Sequence, residues 1–155
     1  MKQLWVAIAV VAALTVLTAV QGEAAGIHEA VLALAENVLG AGSVKSVRTT
    51  DNGAQVLIRW ESATYRPAND LPTTRELMYA EAVLTTNSVM GLLPQVVRVR
   101  FTILEGVRML ATGENWRGRG VSLAFATELG GGTYKAPQPK VDPHKKPGAD
   151  VAREM

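Results

Sequence analysis

The sequence predicts an α+β two-layer sandwich: two helices on one face of a mostly antiparallel sheet of four or five strands. Three observations carry it. Apolar residues recur at helical spacing in two separate segments, they alternate at period two in several others, and glycine-bearing turns join neighbouring strands. The predicted order is helix, strand, strand, helix, strand, strand and a further strand, which lets both helices cover a single apolar sheet face.

Ile27, Val31, Leu34, Val38 and Leu39 fall at i, i+4, i+7, i+11 and i+12, one face of a helix that Gly40 and Gly42 terminate. Ser43 to Thr50 then reads as a strand. Asp51-Asn52-Gly53 supplies residues that tolerate positive φ, so a hairpin follows. In the returning strand Val56, Ile58 and Trp60 share one face, and Gln55, Leu57, Arg59 and Glu61 share the other. Pro67 and Pro72 punctuate a loop. Thr73-Thr74-Arg75-Glu76 fits a capping box, with Thr73 as cap and Glu76 reaching back. The second helix is expected to run to about Ser88 and to bury Leu77, Ala80 and Leu84, with Met78 or Val83 at the flanks.

From Gln95 to Leu104 the alternation is strong: Val97, Val99, Phe101 and Ile103 on one side, Arg98, Arg100 and Thr102 on the other. Glu105-Gly106 turns the chain into a strand from Val107 to Thr112. A one-residue change in that turn exchanges the faces of Met109 and Leu110, so the register stays open. Gly113 to Gly120 reads as a loop around Trp116, and Val121, Leu123 and Phe125 as a last strand.

Residues 1–25 lie outside this unit. Lys2 precedes a 17-residue apolar run from Leu4 to Val20, and Gly22, Glu23 and Ala24 follow. That pattern is an export signal. It reads either as a cleaved signal peptide or as a membrane anchor at the lower end of the roughly 17–25 residues a bilayer core requires. In both readings the domain of residues 26–129 works outside the cytoplasm, in a bacterial periplasm, at the cell surface or beyond. With no cysteine in the chain, disulfides, thiol catalysis and thiolate metal sites are excluded together. Residues 130–155 open on Gly130-Gly131-Gly132 and are then interrupted by Pro137, Pro139, Pro143 and Pro147, a composition that predicts a disordered tail.

Charge divides at the same boundary. Residues 25–129 hold ten basic and ten acidic side chains, and the net charge of +2 resides in the lysine-bearing tail. Nucleic-acid binders concentrate positive charge on the fold itself, so this distribution argues against that class.

The step Leu39-Gly40-Ala41-Gly42-Ser43-Val44, from a helix through glycines into a valine-bearing strand, is similar to that of small exported BON domains and of ring-building modules in secretion and sporulation machines. The helix, strand, strand, helix, strand order from Ile27 to about Leu104 resembles theirs as well. The hairpin after Gln95 departs from the simplest form of that pattern. Such a resemblance implies an interaction or assembly module and no enzyme; topology alone does not fix function.

Reactive chemistry is sparse. His28 and His144 are the only histidines and stand far apart in sequence, so neither a metal site nor a serine–histidine pair is expected, and no cofactor is implied. Glu76 and Glu81 diverge by about 140° around their helix, which leaves Glu76 as a cap and Glu81 as a solvated charge. Arg75 and Tyr79 form an i, i+4 pair best read as packing. Gly113 and Gly118 begin with phosphate-loop spacing, but Arg119-Gly120 replaces the lysine and hydroxyl that loop requires.

One surface feature stands out: Arg98 and Arg100 on a strand face beside the loop Asn115-Trp116-Arg117-Gly118-Arg119. Guanidinium groups flanking an indole suit an acidic partner, a sugar or a base. The expectation is an exported, non-catalytic interaction or assembly module that binds a protein partner or itself through Arg98, Arg100, Trp116, Arg117 and Arg119. Two alternatives remain: an envelope binder of an anionic polymer through the tail and strand arginines, and a small exported enzyme using Glu61 or Glu114.

Overall fold

Two helices lie against one face of a five-stranded sheet. The computed structural model describes residues 25–136; the N-terminal stretch read from sequence as an export signal and most of the proline-rich tail lie outside the described residues. Helix α1 occupies residues 25–39; strands β1 (Val44–Thr50) and β2 (Gln55–Glu61) follow, then helix α2 (Leu71–Leu92) and strands β3 (Arg98–Glu105), β4 (Arg108–Trp116) and β5 (Gly120–Phe125). The strands lie in chain order across the sheet. Among the described residues no helix is long and apolar enough to cross a membrane.

The α+β sandwich expected from the sequence is the fold observed, with one parallel pair inside it. β1–β2, β3–β4 and β4–β5 are antiparallel; β2 and β3 are parallel. The cause is α2, whose 22 residues span about 33 Å and return the chain to the end at which β2 began. Along the covered face run Val56, Ile58 and Trp60 of β2, Val99, Phe101 and Ile103 of β3, Ala111 and Asn115 of β4, and Leu123 and Phe125 of β5, all buried. Trp60 stacks on Phe101 with ring centroids 5.2 Å apart. From α1, Ile27, Val31, Ala35 and Leu39 enter the same core at four-residue spacing.

Asp51, Asn52 and Gly53 all have positive φ and close the β1–β2 hairpin. Gly53 also lies beneath Ile27, whose Cδ1 stands 2.4 Å from where a Cβ would be. The turn therefore needs glycine for its backbone and for the seat of α1.

Helix α2 departs from expectation in its bounds and in its buried face. Its cap is Asp70, whose carboxylate accepts from the Thr73 amide at 2.8 Å, and Pro72 sits in the first turn. The helix runs through Gly91 and stops at Leu93, immediately before Pro94. Met78, Ala82, Thr85, Thr86 and Val89 face the sheet, while Leu77 and Leu84 are 38% and 61% exposed. Both sides of α2 are comparably apolar, so periodicity alone does not separate them. Small residues win because they let the helix approach the sheet closely. Of the polar ones, Thr86 is held, donating to the Ala82 carbonyl at 2.8 Å and accepting from Asn115 Nδ2 at 2.8 Å, while the buried Thr85 hydroxyl has no hydrogen-bond partner among the described residues.

A bulge between Ile103 and Leu104 settles the β3–β4 register. Leu110 turns into the core, and Met109 turns out opposite Leu104. β4 also extends to Trp116, through residues the sequence assigns to a loop. At the far edge the folded unit takes in residues 130–134, which composition assigns to the tail. Phe125 donates to the Gly132 carbonyl and Tyr134 to that of Leu123, while the Tyr134 ring packs on Tyr79 at 4.9 Å and Phe125 at 6.1 Å. Arg75 lies over Phe125 at 4.8 Å and over Tyr134 at 6.0 Å.

Candidate functional site

The helices cover one side of the sheet, and the other side is open. Strand alternation decides what it presents. Arg48 of β1, Leu57 of β2, Arg100 of β3 and Glu114 of β4 form one row; Ser46, Arg59, Thr102 and Thr112 form the next; Gln55, Arg98 and Trp116 form a third. A shallow groove of about 410 Å³ crosses the face, lined chiefly by Ser46, Arg48, Leu57, Arg59, Arg100 and Thr102.

The structure brings together four of the five residues expected to bind a partner. Arg98 lies over the Trp116 ring at 4.5 Å and Arg119 over it at 5.7 Å. Arg98 donates through Nε to Glu114 at 3.0 Å and completes a salt bridge to the same oxygen. Arg100 flanks that carboxylate. The hydrogen bond from Arg98, then one from Trp116 and the positive charges of Arg98 and Arg100, hold the Glu114 carboxyl below its usual range. A carboxylate kept ionised in this way is a poor proton carrier near neutral pH. The Trp116 ring serves as the platform on which guanidinium groups rest, which takes up contact area that a sugar or base would use.

Arg117 is the exception. Its guanidinium turns back beneath the sheet end and donates to the carbonyls of Met90 at 2.6 Å, Val96 at 2.8 Å and Leu93 at 3.2 Å. These include the carbonyls left open at the end of α2, so Arg117 caps a helix instead of facing a partner.

Glu81, expected to be solvated, is 4% exposed. Its carboxylate accepts from Trp60 Nε1 at 2.6 Å, Ser62 Oγ at 3.0 Å, and the Thr64 amide and hydroxyl at 2.9 and 2.6 Å. It ties α2 to the loop after β2. The other carboxylate considered for catalysis, Glu61, accepts from the Gly106 amide at 2.7 Å and braces the β3–β4 turn. Among the described residues no three potential metal ligands come together.

Sequence reasoning passed over two residues of the groove, Arg48 and Arg59. Both are exposed, as is Arg100, and within the described residues none of the three joins a salt bridge. The hairpin signal held part of the answer: symmetry about Asp51-Asn52-Gly53 places Arg48 opposite Leu57. The parallel pairing that sets Arg100 on the far side of Leu57 has no local signature.

No family model, characterised protein or solved structure matches the chain.

Proposed function

We propose that this chain is an exported, non-catalytic interaction module of the bacterial cell envelope that binds a protein partner, or a second copy of itself, through the open face of its sheet. Export is read from the sequence of residues 1–25 and the binding role from the face. The observation that carries the reading is that Arg48, Arg59 and Arg100 stand exposed around one groove and that, among the described residues, none of them joins a salt bridge. Neighbouring like charges on a strand face oppose each other and do nothing for the fold, so their natural complement is negative charge brought from outside. Arg98, Trp116 and Arg119 continue the surface toward the β4–β5 turn as a rigid flank.

The test is capture from the envelope of the producing cells with the native chain and with an Arg48→Ser, Arg59→Ser, Arg100→Ser variant, alongside size-exclusion measurements of self-association. Partner recovery or self-association falls at least about tenfold in the variant while its thermal midpoint holds within about 3 °C. Undiminished capture and self-association in a folded variant would retire the face as the contact surface.

A second reading, an envelope binder of an anionic polymer, draws on the run of guanidinium groups from Arg48 on β1 through Arg100 and Arg98 to Arg119. Binding of that kind weakens steeply and continuously with salt, as counterion release dictates for polyanions.

A further inference from the structure

We infer that Arg48, Arg59 and Arg100 form one convergent site for a tetrahedral oxyanion, specifically a phosphate group, seated over Leu57 on the open sheet face. This rests on the reading of that face as the contact surface and adds the chemistry of what it recognises.

Strand register fixes the geometry. Arg48 and Arg100 both pair with Leu57, one on each side, so their Cα atoms stand two strand spacings apart, about 10 Å. Arg59 is two residues along β2 from Leu57, which places it about 8 Å from each of the other two. The three arginines therefore form a triangle, and Leu57, an aliphatic side chain with no charge of its own, lies midway along its Arg48–Arg100 edge. Long side chains rising from three corners of such a triangle reach a common point above Leu57. Two hydroxyl residues, Ser46 and Thr102, flank the Arg59 corner, each paired with it across a strand boundary. The groove over this triangle, about 410 Å³, leaves room for the anion and for whatever bears it.

Ligand class follows from the donors. Three planar forks and two hydroxyls offer many more N–H and O–H groups than one carboxylate, with its two oxygens, accepts. A phosphate group presents up to four oxygens in a tetrahedral array and carries up to two charges, which suits three guanidinium groups approaching from three directions. Arg98 provides the internal contrast: it has a carboxylate of its own in Glu114 and a ring beneath it, so it is already satisfied. Among the described residues Arg48 and Arg59 have neither, and Arg100, which flanks Glu114, forms no salt bridge with it.

The experiment is titration calorimetry on the full chain, at constant ionic strength, with inorganic phosphate. Saturable one-to-one binding is expected, with sulfate competing and succinate at equal concentration failing to compete. Arg59→Gln weakens phosphate binding by about tenfold or more. Arg66→Gln, an equal change in net charge in the loop after β2 and outside the groove, leaves it within about twofold. Glycerol phosphate in parallel assigns the source: affinity equal to that of inorganic phosphate identifies a phosphate carried on another molecule, and a preference for the inorganic ion identifies free phosphate.

Absence of saturable heat, equal competition by succinate, or equal losses in the Arg59 and Arg66 variants would each overturn the site. The capture experiment with the triple arginine variant reads separately. Loss of partner there, without phosphate binding here, keeps the contact face and discards the phosphate.

Discussion

Replacing Glu81 by alanine lowers the unfolding free energy by about 3 kcal/mol, because a buried acceptor with four donors disappears and its partners stay inside. The Trp60 indole N–H suffers most. Trp60 is fully buried between α2 and the sheet, and water does not reach it to replace the lost oxygen. Glu81→Gln keeps the volume but turns an amide NH₂ toward groups that are themselves donors, so it recovers only part of the loss. Urea unfolding of the three proteins measures this. A double substitution, Glu81→Leu with Trp60→Phe, removes both the acceptor and its main donor and is expected to be less costly than Glu81→Ala alone. An alanine variant within about 1 kcal/mol of the parent would mean that Glu81 does not hold the loop after β2 to α2.

Gly113→Ala is the second large effect. A Cβ at this position lies 2.3 Å from the Ser122 carbonyl oxygen and 2.5 Å from Phe101 Cζ. The phenyl ring has somewhere to go only if the Trp60–Phe101 stack opens, and the carbonyl belongs to the β4–β5 ladder and moves only with the strand. Overpacking of this kind costs about 3 kcal/mol, a fall of roughly 10 °C or more in the thermal midpoint for a domain of this size. Trimming the ring with Phe101→Leu relieves one contact and leaves the backbone one, so the double variant regains only part of the loss. Full recovery, or no loss at all, would show that the sheet yields at this point more easily than its geometry implies.

Much of the fold was legible because its signals are local. The helical spacing of apolar residues in Ile27 to Leu39, the Asp51-Asn52-Gly53 turn and the alternation around Phe101 each record an element and its inward face in a few consecutive residues. Helix α2 was misread where two apolar faces compete. Leu77 and Leu84 look more buried than Thr85 and Thr86, and only the close approach to the sheet and the bond from Asn115 reverse that order. Glu81 was misread for a related reason. Its four donors come from β2 and the loop after it, 17 to 21 residues away in sequence.

The candidate site was half legible. Arg98, Arg100 and Trp116 declare themselves by strand alternation and by proximity in sequence to the β4–β5 turn. Arg117, inside the same short run, has a structural task that only the end of α2 reveals. Arg48 and Arg59 enter through pairing: β1 to β2 across a hairpin, and β2 to β3 through a parallel crossover with 36 residues between the strands. Such a juxtaposition is a property of the sheet and of no single stretch of chain.

The most direct measurement is photocrosslinking in the producing cells, with a photoreactive residue placed at Leu57 in the centre of the open face or at Leu84 on the outer side of α2. Adducts from position 57 and none from position 84 are the result that the proposed contact role of the arginine-ringed face predicts. Adducts confined to position 84 would contradict it and move the working surface to the helical layer.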